Sequence, residues 1–511
     1  MSFPMGALCI KTAVNSDDSL PKAVVFEHVL ADDPVLCAKQ TAARHPYAVG
    51  LSVYIWNDMW FKTFAEELKK LEQSIILFAG GPQMSLAISD CPKSLDFVVL
   101  GEGEINTVQA LKNNVKGIVG PVVPDLNKLE SPFLSGNANA QLKGSDSVLW
   151  ELTRGCPFAC AFCFESRGSK TVRDYPFERI EKELDFLIDN EIENVFVLDP
   201  TFNLNVDRAK RILSMLLDKA PSYMHFTFEI RAELIDEELA DMFASLNCSL
   251  QIGLQSADEA VLSTIGRKFN RKEFEQKVKL LSVKGVAFGL DVIIGLPGDT
   301  LDKFRDTVNF AVSLMPSNLD IFVLSLLPGT ELSQRKDELG LIASNDRDYT
   351  LKCSPSFSSD DIDQALKIRD SLDLFYTKGQ ACMWIHCLLE TLNISACNLF
   401  SLFAKWMTQT NRSSDEDVWV LQDDFVSSLL EKTQNNKLID AMKSFMELHQ
   451  GLCYVTDTCE DAVLNLHYHP DDLAMLDVMS LSEFVKTYRP KECEICLTWD
   501  DEEGVVWKRV N

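Results

Sequence analysis

Short apolar runs alternate with stretches of helical spacing over the first two thirds of the chain, and this pattern breaks twice. Positions 23–27, 48–54, 74–79 and 96–100 are predicted as buried strands, and 59–70 carries the spacing of a helix. Such alternation predicts a parallel sheet with helices on its faces, so residues 1–121 are read as a Rossmann-like unit. The opening residues, 5–14, have helical rather than strand spacing. Periodicity is lost over 122–147, where prolines, Asn, Gly and Ser accumulate; this segment is expected to be a linker.

From 148 to 340 six further strand-then-helix units follow, with strands predicted at 148–153, 194–199, 225–230, 249–255, 287–294 and 318–326. Between the first two, positions 176–190 place Ile180, Leu184, Leu187 and Ile188 on one helical face. Six consecutive units predict a partial (β/α)6 barrel whose site lies at the carboxyl ends of the strands. After Pro328 and Gly329 the alternation stops. Residues 341–511 are expected to form a mostly helical domain ending in a short strand at 505–507. The fold class is α/β throughout the first two units.

Composition narrows the chemistry. Hydrophobic residues make up 46% and charged residues 24%, as in an ordinary globular protein. Lys and Arg number 49 against 76 Asp and Glu, a net charge of −27, which argues against nucleic acid as partner. No leader or membrane-spanning pattern is read, so no membrane is expected and the location predicted is cytoplasmic. Fifteen cysteines, an odd number scattered over a long chain, suit a reducing compartment rather than a disulfide framework.

The first strand of the six runs into Arg154-Gly155-Cys156-Pro157-Phe158-Ala159-Cys160-Ala161-Phe162-Cys163. A short loop with these gaps can bend three thiolates around one face of an iron–sulfur cube. A fourth cysteine at comparable spacing is missing, which leaves one iron open. A zinc site and three plain buried cysteines are the competing readings of the spacing alone.

The cysteine triplet, its place after the first of six units, and the segments at later strand ends resemble the radical SAM superfamily. Within it the chain is similar to the subfamily with an N-terminal cobalamin-binding-like domain and a C-terminal domain of unknown function. The resemblance is strongest from Trp150 to Leu332. It implies that Cys156, Cys160 and Cys163 hold a [4Fe–4S] cluster whose open iron binds S-adenosylmethionine (SAM), and that SAM is cleaved reductively to a 5′-deoxyadenosyl radical. It implies further SAM contacts from Phe162, from Asp199 and Thr201 after the second strand, and from Glu229 and Arg231 on the third. Gln255 and Ser256 after the fourth and Leu296 after the fifth complete the set. Pro200 departs from the basic residue expected there.

Ser52, Tyr54, Gly80, Gly81 and Gly101 sit at the ends of successive strands in the first unit, where glycines let a flat ligand approach backbone. By resemblance this is a cobalamin site. The chain lacks Asp-x-His-x-x-Gly, and His28 and His45 lie in other contexts, so a remnant domain that merely covers the barrel is the alternative. Cys493-x-x-Cys496, with Cys382, Cys387, Cys453 and Cys459, raises a second cluster or zinc site against ordinary buried thiols. The expected activity is radical modification of a small molecule or peptide, extended to methyl transfer if cobalamin binds. Electrons would come from a flavodoxin or ferredoxin. The rival from another class is a non-catalytic corrinoid or iron–sulfur carrier or sensor.

Overall fold

The computed structural model describes residues 3–86, 92–165, 170–344, 348–500 and 504–510. Four parallel strands, β1 (Ala48–Ser52), β2 (Ile76–Gly80), β3 (Phe97–Val99) and β4 (Gly117–Val119), pair in chain order. Their two faces build separate apolar clusters. Leu51, Leu77 and Ala79 pack with Phe64 and Leu68 of the helix Asp58–Leu71, while Phe78, Phe97 and Val99 pack with Ala110 and Leu111 on the other side. The strand predicted at 23–27 is extended chain without ladder partners, and among the described residues no strand precedes Ala48. Val24 and Phe26 are largely exposed there, so their apolar run does not mark burial. β4 went unpredicted because its three residues, Gly117, Ile118 and Val119, are too few and too exposed to show a period.

The segment 122–147 is packed rather than free. Phe133 is fully buried, Ala138 and Leu142 join the core beneath the next sheet, and Phe133 stacks on Phe3 with ring centroids 5.9 Å apart. Glu183, buried on the helix Phe177–Asp189, accepts hydrogen bonds from Ser131 Oγ (2.5 Å), Trp150 Nε1 (2.8 Å) and Arg179 Nε (2.8 Å). One carboxylate thus ties this segment, the first barrel strand and its own helix together.

Strand β5 (Ser147–Trp150) begins the second sheet, and a two-residue bridge, β6 (Thr153–Arg154) with β7 (Arg173–Asp174), follows it. The sheet continues through β8 (Asn194–Val197), β9 (His225–Ile230), β10 (Cys248–Gln255), β11 (Ala287–Ile294) and β12 (Asn318–Val323), all parallel and in chain order from β5. This is the partial (β/α)6 barrel expected. Its alternation is inverted relative to a closed barrel with a packed interior. The outward positions Phe226, Phe228, Leu250, Ile252, Leu290 and Val292 are buried under the helices. The ladder aligns Glu229, Gln251, Gly289 and Asn318 in one inward row and Gly253, Asp291 and Asp320 in the next. An open sheet can keep its inner face polar because water and ligands reach it.

The remainder is mostly helical, with Ser359–Leu372, Ala396–Thr410, Val418–Leu430 and Asn436–Thr458 as its longer helices. A small hairpin, β13 (Ile342–Ala343) with β14 (Leu351–Cys353), precedes them. An antiparallel sheet of β15 (Ala462–Leu466), β16 (Cys493–Asp500) and β17 (Gly504–Arg509) closes the chain. This part shares one continuous core with the barrel, sealed by a hydrogen bond from the buried Tyr376 hydroxyl to Pro316 O at 2.6 Å. Among the described residues no single helix is long and apolar enough to cross a membrane.

Replacing Glu183 by Ala strands Arg179 and Trp150 Nε1 without their acceptor in a buried setting. The variant is expected to lose about 3 kcal/mol of stability, with earlier proteolytic cleavage in 122–147. An unchanged melting temperature would show that the carboxylate does not hold these elements.

Candidate functional site

The cysteine loop leaves the sheet at the carboxyl end of β5 and is fixed at both ends. β6 pairs antiparallel with β7, which closes the loop at its base. Asp199, after β8, accepts from the backbone N–H groups of Leu152 and Thr153, each at 2.9 Å. Halfway round, Ala161 N donates to Ile265 O, and Leu332 N donates to Ala161 O, both at 3.0 Å. The middle of the loop is thereby stitched to the segments that follow β10 and β12, across the mouth of the open barrel. Arg154, just before Gly155, is clamped by Glu151, Glu102 and Glu104 at 2.6–2.9 Å. Glu102 also pairs with Arg173, so the first sheet grips the base of the loop through the Gly-Glu-Gly-Glu segment.

Cys156, Cys160 and Cys163 form no disulfide and are all partly exposed on this one loop. Cys163 N bonds to Cys160 O at 3.0 Å, which puts the last two in a turn. Burial pushes the Cys156 thiol above its ordinary value. The three sulfurs are not gathered as around a single ion. Among the described residues the trio of possible ligand atoms lying within 4.8 Å of one another is His28, Asp32 and Cys37 instead. Three thiolates from one short loop are a donor set that a [4Fe–4S] cluster takes, with one iron left for another ligand.

The inner face of the sheet meets the loop through Arg231. Its guanidinium lies 3.9 Å over the ring of Phe158 and pairs with Glu233 at 2.9 Å. The buried amide of Asn203 brackets the backbone of Arg231, donating to its carbonyl and accepting from its N–H, each at 2.9 Å. Glu229 opens to the barrel mouth but is walled by protein. Burial, then Asp291 and Glu165, raise it to about 7. Asp291 is raised to about 6, by burial first, although Gln251 Nε2 donates to it at 2.6 Å. β10 carries an irregularity between Gly253 and Gln255, and Gln255 adopts φ +67° there. A side chain at Gly253 would strike Gln255 Nε2 at 2.5 Å, so the glycine makes room for that amide beside Arg267.

Arg267 was missed in the sequence because it follows no strand end and lies in a run of ordinary basic residues. It is 7% exposed, donates to Gly253 O, lies 3.9 Å from Glu233, and feels the charges of Arg231, Cys160 and Asp291. Two buried atoms here, Arg267 Nε and Glu233 Oε2, have no protein partner. A donor and an acceptor left over beside the thiols fit the carboxylate and ammonium of an amino-acid group, which SAM carries.

Several predicted residues spend their polar groups on the protein itself, although Asp199 and Thr201 line a cleft together with Gly155 and Cys156. Asp199, raised to about 7 by burial, spends its carboxylate on the loop backbone, and Thr201 Oγ1 donates to Pro200 O at 2.7 Å. Ser256 turns outward to Thr307 (3.4 Å), and Leu296 is fully buried in the turn after β11. Phe162 is half-buried against the core. The turn of Asp199 to Asn203 is a scaffold that holds both the loop and Arg231.

In the first sheet Gly81 (φ +103°) serves packing, since an added Cβ would meet Val53 O at 2.6 Å. Gly101 (φ +67°) is tight against Pro121, and Gly80 alone of the three would meet only ordinary contacts, with Val99. The Ser52 carbonyl accepts from Asn57 Nδ2 at 3.2 Å, and Tyr54 stacks on the exposed Trp56 at 4.6 Å. These residues lie along one sheet edge, but by themselves they do not specify a corrinoid cradle. Cys493 and Cys496 fall in β16 three positions apart, so the strand sends them to opposite faces. Cys493 is buried with its thiol on Tyr468 O, so the pair does not chelate.

The family description "Radical SAM superfamily" matches residues 150–311. The cobalamin-dependent radical SAM methyltransferase TokK of Streptomyces tokunonensis is 23% identical over 394 residues, covering 66% of this chain and 56% of that protein. The chain spans about half to two thirds of the length of the curated relatives it matches, 56% for TokK. Among solved structures, the cobalamin-dependent SAM radical enzyme OxsB with aqua-cobalamin aligns with a TM-score of 0.59 at 15% identity, over 89% of this chain and 78% of that one. TsrM of Kitasatospora setae, a radical SAM methyltransferase with cobalamin and a [4Fe–4S] cluster bound, aligns at 0.56 and 18% identity, over 67% and 78%. At these identities the structural likeness is one of fold. The cysteine loop and the strands β8 to β11 thus lie within a stretch that matches a radical SAM domain, which implies a [4Fe–4S] cluster and SAM as its cofactors.

Proposed function

We propose that this protein is a radical SAM enzyme that modifies a small molecule or peptide, with Cys156, Cys160 and Cys163 as the ligands of three irons. The observation that carries this reading is the placement of three partly exposed thiols on a clamped loop beside a polar, open sheet face. When bound, a [4Fe–4S] cluster there would supply the electron for reductive cleavage of SAM to a 5′-deoxyadenosyl radical.

The chain's own residues bind and orient. Arg267 and Glu233, each with one unused polar atom, would take the amino-acid end of SAM. Gln255 and Asp291 would serve the ribose, Glu229 the cationic part, and Phe162 the adenine. Arg231 positions the loop by stacking on Phe158. Asp199 and Thr201 act through the scaffold, Ser256 steadies the end of β10, and Leu296 shapes the turn after β11. The exposed ring of Phe322, on the inward side of β12, is free to meet the substrate. The net charge of −27 favours a small or peptidic substrate over a polyanion, and a flavodoxin or ferredoxin would be the electron donor.

A second reading is methyl transfer through cobalamin. It is favoured by the likeness of fold to OxsB and TsrM, both solved with cobalamin. Ser52, Tyr54, Gly80, Gly81 and Gly101 would then line the corrinoid's side of the first sheet. A non-catalytic carrier has no use for the unpaired Arg267 and Glu233 atoms, which weighs against that rival.

Anaerobically reconstituted protein, given dithionite and SAM, is expected to form 5′-deoxyadenosine, and Cys160→Ala to form none while keeping its circular dichroism. Equal product from the variant would exclude the proposed ligand set. Offering cobalamin in the same preparation tests the second reading: a corrinoid absorption band retained after gel filtration supports methyl transfer, and its absence removes it. SAM is a cation, so its binding draws Glu229 and Asp291, at about 7 and about 6, toward their ionised forms. Calorimetry at pH 6 in buffers of different ionisation enthalpy is therefore expected to show proton release, which fades above pH 8 where both are already charged. Glu229→Gln should cut the release and weaken SAM binding by about 2 kcal/mol. Release unaltered by that variant would place the titrating group elsewhere.

A further inference from the structure

Outside the barrel, in the segment entering the helix Pro34–Ala42, His28, Asp32 and Cys37 bring one ligand atom each within 4.8 Å of the others. His28 Nδ1 lies 3.5 Å from Cys37 Sγ and 3.5 Å from Asp32 Oδ2. An imidazole nitrogen carries either a proton or a lone pair. It can donate to the carboxylate or accept from the thiol, but not both, and Asp32 Oδ2 also accepts from Val29 N at 3.0 Å.

We propose that these three side chains form a zinc site, with solvent in the fourth position. Zinc bonds of about 2.0–2.1 Å to nitrogen and oxygen and about 2.3 Å to sulfur, at tetrahedral angles, separate the ligand atoms by roughly 3.3–3.6 Å. The separations of His28 Nδ1 from Cys37 Sγ and from Asp32 Oδ2 match that edge length. The nitrogen, oxygen and sulfur set is of the borderline softness that zinc takes. The surroundings hold the ligands in place, as outer contacts do in metal sites. The His28 ring stacks on Trp60 at 5.4 Å, and Trp60 Nε1 donates to the backbone carbonyl of Asp32 at 2.8 Å. Asp33 caps the helix that carries Cys37 by accepting from Val35 N at 2.8 Å. His28 is open to solvent, which gives the ion an entry path.

The site has a structural purpose. Residues 23–32 run beside the first sheet without ladder bonds, and an ion joining His28 and Asp32 to Cys37 would pin this stretch to the helix Pro34–Ala42 and, through Trp60, to Asp58–Leu71. The pinning is independent of the cluster and of SAM cleavage.

The test uses the full-length holoprotein, its cluster thiols occupied by iron. After dialysis against buffered zinc, elemental analysis is expected to find one zinc per chain, and the zinc K-edge fine structure one sulfur with nitrogen and oxygen neighbours. Cys37→Ser and His28→Ala should each weaken zinc binding by about tenfold or more. Hydrogen exchange over 28–37 should slow when zinc is added to the wild type. Protein that binds no zinc, or zinc whose shell holds two or more sulfurs or none, would overturn the proposal, as would full retention by Cys37→Ser. Should either variant fail to fold, the wild-type zinc shell still decides.

Discussion

Everything in the barrel depends on how one loop is held. Three thiols can share a cluster only if the backbone that carries them keeps its shape while the cluster is built, reduced and approached by a nucleotide. Here the restraint comes from several directions at once. The bridge of Thr153–Arg154 with Arg173–Asp174 closes the base, the Asp199 carboxylate takes two amides at the entry, and Ala161 is bonded on both sides to segments from the far half of the sheet. The Ala161 bonds span the mouth of an otherwise open sheet, so opening the barrel and deforming the loop are one motion.

The polar inner face follows from the same openness. A closed barrel of this size would have to fill its interior with side chains. Six strands that do not close leave Glu229, Gln251, Asp291, Asn318 and Asp320 facing a space that water and ligands can enter. Walls on most sides raise the carboxyls of Glu229 and Asp291, and a cationic ligand is the natural partner for such groups. The first sheet is tied to this centre by Glu102 and Glu104 on Arg154. Its Gly-Glu-Gly-Glu turn therefore helps to position the loop whatever else the sheet binds.

Much of this was legible in the sequence, because period-two alternation and the cysteine gaps are local signals. The third and fifth barrel strands were placed to the residue, at His225–Ile230, where apolar and polar positions alternate, and at Ala287–Ile294, a mostly buried apolar run. What escaped was non-local. The run at 23–27 is apolar but exposed, and only the fold shows that nothing covers it. The segment 122–147 has no period yet buries Phe133, since a single aromatic in an irregular chain leaves no pattern. Asp199 and Ser256 carry the right chemistry for a ligand but turn it toward backbone and a helix hydroxyl. Arg267, with no pattern to mark it, comes to the site through the irregular end of β10 and the space left by Gly253.

The central claim is that the loop holds a cluster with one iron open to SAM. Electron paramagnetic resonance of the anaerobically reconstituted, dithionite-reduced protein tests it most directly, with spectra taken before and after adding SAM. The account predicts the signal of a reduced [4Fe–4S] cluster whose g values shift when SAM binds. No cluster signal, or one that SAM leaves unchanged, would contradict it.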